Sequence, residues 1–164
     1  MDLIINIWYY GVGKFCNSQL NKNVVRRETR HMYNLFISHS WGYSSAYENL
    51  VSLLNSDPYF SYRNYSVPQN DPIHNAQNQS QLKDAIKAQM APASCILILA
   101  GVYSTYSKWI NIEIELAKSG FILPKRIIAI EPWGSEKTST VVKNAADEIV
   151  KWQTSSIISA IRKS

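Results

Sequence analysis

Short apolar runs alternate with amphipathic segments from Tyr33 onward, and this alternation predicts a mostly parallel central sheet covered by helices. Four runs have the length and composition of strands, at residues 34–38, 62–67, 94–101 and 126–130. The third run is almost continuously apolar, as expected for a central strand that is buried on both faces. Helices are predicted after Ser44 or Ser45 and over residues 81–90, 103–120 and 139–151, and the apolar terminal segment closes the domain. The predicted architecture is therefore a three-layer α/β/α domain.

The helix predicted over residues 103–120 carries an acid where the pattern calls for an apolar residue. At about 100° of rotation per residue, one broad face of this helix is apolar. That face comprises Trp109, Ile110, Ile112, Ile114, Leu116 and Ala117. Glu113 lies near its middle, whereas Glu115 points to solvent. A carboxylate turned toward a core needs a partner, a raised pKa or a cleft, so Glu113 is either a structural acid in a polar pair or a functional group.

Composition sets the number of domains and the class of partner. A chain of 164 residues with 46% hydrophobic content is enough for one domain with a sizeable core. We expect residues 1–32 to form an N-terminal extension and residues 33–164 to form the domain. The extension holds five Lys or Arg against two acids and so accounts for +3 of the net charge of +5. The domain itself is only mildly basic, which does not favour a nucleic-acid surface.

Cysteine content and the opening residues indicate the compartment. The chain contains only Cys16 and Cys95, which makes a disulfide framework improbable and favours a cytoplasmic protein. The apolar stretch at the start of the chain begins with an acid and is too short to span a bilayer. We therefore expect no membrane partner. We also expect no bound metal, because the three histidines have no metal-ligand spacing with the cysteines.

Polar and aromatic residues follow the predicted strands, and the carboxyl ends of parallel strands meet at one edge of a sheet. The residues expected at this edge are His39, Ser40, Trp41, Asn70, Asp71, Tyr103, Ser104 and Trp133. Residues 68–80 are predicted to form a long polar loop, and loops of this length in compact domains are usually functional. Glu113 lies on the predicted helix that begins at the same edge. Aromatic rings that stack on bases and a carboxylate that binds ribose hydroxyls predict a nucleotide-like ligand, although His39 and Trp41 also suit ordinary loop and covering roles.

Three segments carry a resemblance to a known family. They are YNLFISHSW at the first strand, VPQNDP after the second, and SKWINIEIEL at the helix with the buried acid. Together they resemble a TIR domain, and more closely the TIR-like branch of the bacterial Thoeris anti-phage defence systems. Trp109, Glu113 and Ile114 match the pattern W-x-x-x-E-[LI], whereas Ile110 stands where the classical motif has Cys. The resemblance covers residues 33–164 and implies a flavodoxin-like fold.

The resemblance also implies an activity and a set of site residues. In enzymatic TIR domains the motif glutamate cleaves NAD between nicotinamide and ribose, which assigns the catalytic role to Glu113. The expected substrate-binding residues are Ser38, His39, Ser40, Trp41, Asn70, Asp71, Tyr103, Ser107 and Trp109. NAD+ is then a substrate, with no further cofactor, and the product is a cyclised or conjugated ADP-ribose signal sensed by a partner effector. Assembly into a homo-oligomer on activation is a further expectation.

Two other functions fit parts of the sequence. A non-catalytic TIR-type interaction and oligomerisation module would use Glu113 in a structural pair. A receiver domain of the flavodoxin-like class is disfavoured, because such domains need an acidic cluster after the first strand and this chain has Ser38, His39 and Ser40 there.

Overall fold

A computed structural model describes residues 31–38, 44–67, 78–101, 108–131 and 139–164. These ranges contain five strands and five helices in alternation. In chain order they are β1 (Met32–Ser38), α1 (Ser44–Asn55), β2 (Ser61–Asn64), α2 (Gln79–Met90), β3 (Cys95–Leu99), α3 (Lys108–Ser119), β4 (Arg126–Glu131), α4 (Thr140–Ala145), β5 (Glu148–Lys151) and α5 (Thr154–Ile161). The strands form one all-parallel sheet in the order β2-β1-β3-β4-β5, which confirms the predicted α/β fold. No helix within the described ranges is long and apolar enough to cross a membrane.

Alternation of side chains along the strands divides the core into two layers. Leu35 and Ile37 of β1 pack with α1 and α5 on one face of the sheet, whereas Phe36 packs with α2, α3 and α4 on the other. The central strand β3 is buried at all of its positions, as its continuous apolar run predicts. Burial on both faces requires helices on both faces, and this requirement produces the three-layer architecture.

The strand order identifies the position between β1 and β3 as the expected ligand site of the sheet. The chain runs from β1 outward to β2 and then returns to β3 on the other side of β1, so the direction of winding reverses between these two strands. Ser38, the last residue of β1, pairs with Ile98 of β3. Ligands of open parallel sheets bind at such a reversal, beyond the carboxyl ends of the strands, and we call this side of the molecule the carboxyl edge.

Local sequence explains several element boundaries. The side chain of Asn78 accepts a hydrogen bond of 2.9 Å from the amide of Gln81 and caps α2, which begins two residues earlier than predicted. Strand β2 ends at Asn64 rather than at residue 67. The chain nevertheless stays close to β1 beyond that point, since the amide of Tyr65 donates to the carbonyl of Leu35 at 2.8 Å.

The prediction of one helix over residues 139–151 was wrong, because this segment forms the short helix α4 followed by the edge strand β5. Its apolar residues do not share one face: Val142 packs in the α3 layer, whereas Val150 packs in the α5 layer. Hydrogen bonds to β4 from the residue just before β5 help to hold this strand in the sheet. Asp147 accepts from the amide of Ile127 at 2.7 Å and donates its own amide to the carbonyl of that residue at 2.9 Å.

The two apolar side chains of β5 provide a test of this corrected assignment. Val150 is 8% exposed, whereas Ile149 is 45% exposed. Val150→Ala is expected to lower the free energy of unfolding by about 1–2 kcal/mol, since it removes two buried methyl groups. Ile149→Ala, the matched control, is expected to change it by about 0.5 kcal/mol or less. Urea unfolding measures both, and equal losses would contradict the strand.

Candidate functional site

Ser38 and Glu113 meet at the carboxyl edge. Ser38 is the last residue of β1 and shares its side of the sheet with Phe36, so its side chain faces the α3 layer. Glu113 lies in the second turn of α3, on the same side of the helix as the buried residues Ile110 and Ala117. The hydroxyl of Ser38 donates a hydrogen bond to Oε2 of Glu113. The structure thus joins two residues that are 75 positions apart in the chain.

Burial controls the charge of Glu113. The residue is only 6% exposed and Ser38 only 1%. Removal from water disfavours the charged carboxylate and raises the pKa of Glu113 from its ordinary value of 4.5 to about 7, even though the hydrogen bond from Ser38 acts in the opposite direction. Near neutral pH this side chain therefore exists in both its protonated and ionised forms, which is typical of functional carboxyl groups.

A second buried glutamate at the same edge has a different environment. Glu131 ends β4 and is bound by the ammonium groups of Lys143 and Lys151. Hydrogen bonds from these two lysines hold the pKa of Glu131 below its usual range. Within the described part of the chain, Glu113 forms no ion pair with Lys or Arg. Glu131 is thus a structural ion-pair acid, whereas Glu113 is a buried acid whose described polar partner is a neutral hydroxyl.

The structure corrects the prediction that Trp109 belongs to the buried face of its helix. Trp109 is 40% exposed, although it lies one turn before the buried Glu113. It stands in the first turn of α3, at the carboxyl edge. The helix therefore leaves an accessible indole ring about one turn from a buried carboxyl group.

The remaining predicted site residues all lie outside the described ranges. They are His39, Ser40, Trp41, Asn70, Asp71, Tyr103 and Ser107, together with Ser104 and Trp133 at the predicted edge. Their assignment to the site stays a prediction from the sequence. The predicted boundary at residue 32 likewise stays a prediction, because the described part begins at His31 and β1 begins at Met32.

A polar network that we did not predict anchors β1 just before Ser38. The hydroxyl of Ser66 accepts a hydrogen bond from the amide of Ile37 at 2.9 Å and donates to Oδ1 of Asn64 at 2.5 Å. Nδ2 of Asn64 in turn donates to the hydroxyl of Tyr47 at 2.8 Å. Alternation along residues 62–67 places Asn64 and Ser66 on one face, which is the only sequence signal for this network. Its effect is to fix the backbone that carries Ser38.

Other side chains in the described ranges are poorly suited to catalysis or metal binding. Cys95 is buried, as predicted, and loss of solvent raises the pKa of its thiol, which disfavours the reactive thiolate. No group of three or more His, Cys, Asp or Glu side chains in these ranges is placed to hold a metal ion. The Ser38–Glu113 pair is therefore the strongest candidate for a reactive centre in this part of the chain.

Comparison with known families agrees with the fold. A sequence model of the TIR-like domain of the Thoeris protein ThsB matches residues 36–137, which is 102 of the 164 positions. The chain belongs to the Thoeris TIR-like family. This confirms the resemblance found in the sequence. No curated protein matches the chain. The Thoeris TIR-like match includes both Ser38 and Glu113 and extends beyond β4, whereas α4, β5 and α5 lie outside it.

Proposed function

We propose that this Thoeris-family TIR-like domain cleaves NAD+ between nicotinamide and ribose, with Glu113 as the catalytic residue. The observation that carries the proposal is the environment of Glu113. Its carboxyl group is buried at the carboxyl edge of a parallel sheet, and within the described residues it has no cationic partner. A buried charge without a cation is costly for stability, so its presence at the usual ligand-binding edge favours a functional reason.

The chemistry of the bond suits a single carboxylate. When the bond between C1′ of the ribose and the nicotinamide nitrogen breaks, its electron pair leaves with nicotinamide, which becomes neutral. The ribose then carries oxocarbenium character, and a water molecule or a hydroxyl group adds at C1′ and releases a proton. A fixed carboxylate beside the ribose stabilises the developing positive charge. Because nicotinamide is a good leaving group, no strong general acid is needed.

The ionised form of Glu113 is the form that this mechanism uses. At a pKa of about 7 a substantial fraction of the carboxyl group is charged at neutral pH. The nicotinamide ring of NAD+ carries a positive charge, which favours the carboxylate further once the substrate is bound. The accessible indole of Trp109 offers a surface on which a ring of the substrate stacks. NAD+ is a substrate in this proposal, and no separate cofactor takes part.

Membership of a Thoeris family suggests what the reaction is for. We propose that the product is a cyclised or conjugated ADP-ribose that signals phage infection to a partner effector protein. In such a reaction a hydroxyl or amino group of a second moiety, rather than water, adds at C1′. The domain would then consume NAD+ without accumulating free ADP-ribose.

Isotope labelling distinguishes these products. NAD+ labelled with 13C in its adenosine half is added to lysates of phage-infected cells that contain wild-type protein or the Glu113→Gln variant. We expect nicotinamide and one labelled ADP-ribose derivative in equal amounts with the wild type alone, both identified by mass spectrometry. Free labelled ADP-ribose would identify a hydrolase. Intact NAD+ with both proteins would contradict the proposed activity.

One observation favours a second candidate function. The hydrogen bond between Ser38 and Glu113 joins β1 to α3 inside the protein, as a purely structural pair would. The chain would then be a non-catalytic interaction module that oligomerises through its helices and loops. This function predicts that neutralising Glu113 lowers the stability of the protein and that neither the wild type nor the variant cleaves NAD+.

A further inference from the structure

The hydroxyl of Ser38 is engaged by the protein itself. A serine hydroxyl has one proton to donate, and that of Ser38 is directed at Oε2 of Glu113. Both groups are buried, so this contact lies inside the fold rather than on the surface. A substrate hydroxyl or phosphate oxygen that needed a donor at this position would have to displace the carboxylate. The structure therefore supports a role of Ser38 toward Glu113, while its role as a substrate-binding residue stays a prediction from the sequence.

We propose that Ser38 is a positioning residue: its hydroxyl fixes the orientation of the catalytic carboxyl group of Glu113 and favours the ionised form of that group. This inference rests on the proposed function in one respect, namely that Glu113 is catalytic. The contact itself is independent of that function. A hydrogen bond donated to a carboxylate stabilises the charged form over the neutral acid, and it does so most strongly in a buried site.

The backbone around Ser38 suits a fixed donor. Ser38 is held in the sheet by its pairing with Ile98 of the central strand. The preceding residue, Ile37, donates its amide to the hydroxyl of Ser66 at 2.9 Å. The donor to Glu113 is thus attached to a strand that is tied on both sides, and α3 brings the acceptor to it. Such rigid support is what a preorganised carboxylate requires.

Charged groups on the neighbouring elements do not replace this contact in the described ranges. Those on α2 and α3 are Lys83, Asp84, Lys87, Lys108, Glu115 and Lys118, and those on β4 are Arg126 and Glu131. Helix α4 carries Lys143, which pairs with Glu131. Lys83 pairs with Glu115 at 2.9 Å and Lys118 with Asp147 at 2.8 Å. Strands β1 and β3 carry no charged residue. Ser38 is therefore the polar group that offsets the burial of Glu113 in this part of the chain.

The test is the Ser38→Ala variant, measured in two ways. The pH dependence of kcat/KM for NAD+ is recorded between pH 5 and 9, and the ionisation of Glu113 is followed by 13C NMR of protein labelled at the glutamate carboxyl carbon. The Glu113→Gln spectrum identifies the resonance. We expect both the acidic limb of the rate profile and the NMR titration to move upward by about one pH unit, because a hydrogen bond to a charged group has an effect of that order. Turnover at pH 6 then falls about tenfold.

Ser94→Ala is the control. It also removes a serine hydroxyl that bonds to β1, through the carbonyl of Asn34 at 3.1 Å, but Asn34 lies four residues before Ser38 near the opposite end of the strand. We expect the titration of Glu113 to stay within about 0.3 pH units of the wild type in this variant, since additive effects are the rule for groups that share no partner.

The outcomes separate this inference from the proposed function. An unchanged NMR titration of Glu113 in Ser38→Ala overturns the positioning role, whether or not the protein turns over NAD+. A raised KM with an unmoved acidic limb also overturns it and identifies Ser38 as a substrate-binding residue. If the titration moves but neither protein cleaves NAD+, the positioning role stands and the proposed function fails.

Discussion

Replacing Glu113 with glutamine is expected to lower the rate of NAD+ cleavage by about a thousandfold or more while the protein remains folded. Glutamine has almost the same shape and still accepts a hydrogen bond from Ser38, but it carries no negative charge. Only the electrostatic stabilisation of the oxocarbenium-like transition state is lost. Nicotinamide release measured with protein recovered from phage-infected cells gives the rate, and circular dichroism checks the fold.

The matched control for this experiment is Glu115→Gln. Glu115 lies two residues farther along α3, is exposed, and pairs with Lys83 on the surface. This substitution also removes one negative charge from the helix, yet we expect turnover within about twofold of the wild type, because exposed ion pairs contribute little. Equal loss of activity in the two variants would show that the net charge of α3, rather than the buried carboxylate, matters.

Neutralising Glu113 is also expected to stabilise the protein at alkaline pH. The pKa of Glu113 is about 7 in the folded state, against an ordinary value of 4.5. Between these values the folded state binds more protons than the unfolded state, so the stability of the wild type falls as the pH rises through this window. Glu113→Gln lacks this titration. Between pH 5 and pH 8 the variant should gain about 2–3 kcal/mol in unfolding free energy relative to the wild type.

A control of opposite sign is available at the same edge. The pKa of Glu131 is lowered by its two lysines, so its ionised form stabilises the fold above its unfolded pKa. Glu131→Gln is therefore expected to destabilise the protein at pH 7 and to have less effect at acidic pH. Urea unfolding at a series of pH values measures both variants. If Glu113→Gln instead destabilises the protein at every pH, Glu113 is a structural acid and the interaction module becomes the better function.

The sequence predicted the fold well because each central element carries its own pattern. β3 is apolar at every position, and α2 has apolar residues four apart, so neither depends on distant residues for recognition. The edge strand β5 was missed for the opposite reason. It is four residues long, only Val150 is buried, and it is held by hydrogen bonds between Asp147 and Ile127 of β4 in both directions. A short edge strand is determined by its neighbours, which a single sequence does not reveal.

The sequence predicted the burial of Glu113 and missed the hydrogen-bond partner of its side chain. Helical periodicity alone placed Glu113 on the buried face of α3, and the structure agrees. Periodicity failed for Trp109, because it ignores the fact that the first turn of a helix lies at the edge of the sheet. The contact between Ser38 and Glu113 joins residues on separate elements, so it follows from the strand order and not from any local pattern.

The level of NAD+ in phage-infected cells is the most direct test of whether Glu113 is the residue that cleaves NAD+. Cells that express wild-type protein, Glu113→Gln or Glu115→Gln at equal levels are infected, and NAD+ and its products are measured by mass spectrometry over time. We expect loss of NAD+ and appearance of an ADP-ribose derivative with the wild type and Glu115→Gln, and neither with Glu113→Gln. The same NAD+ levels in all three would contradict a catalytic role for the buried carboxyl group.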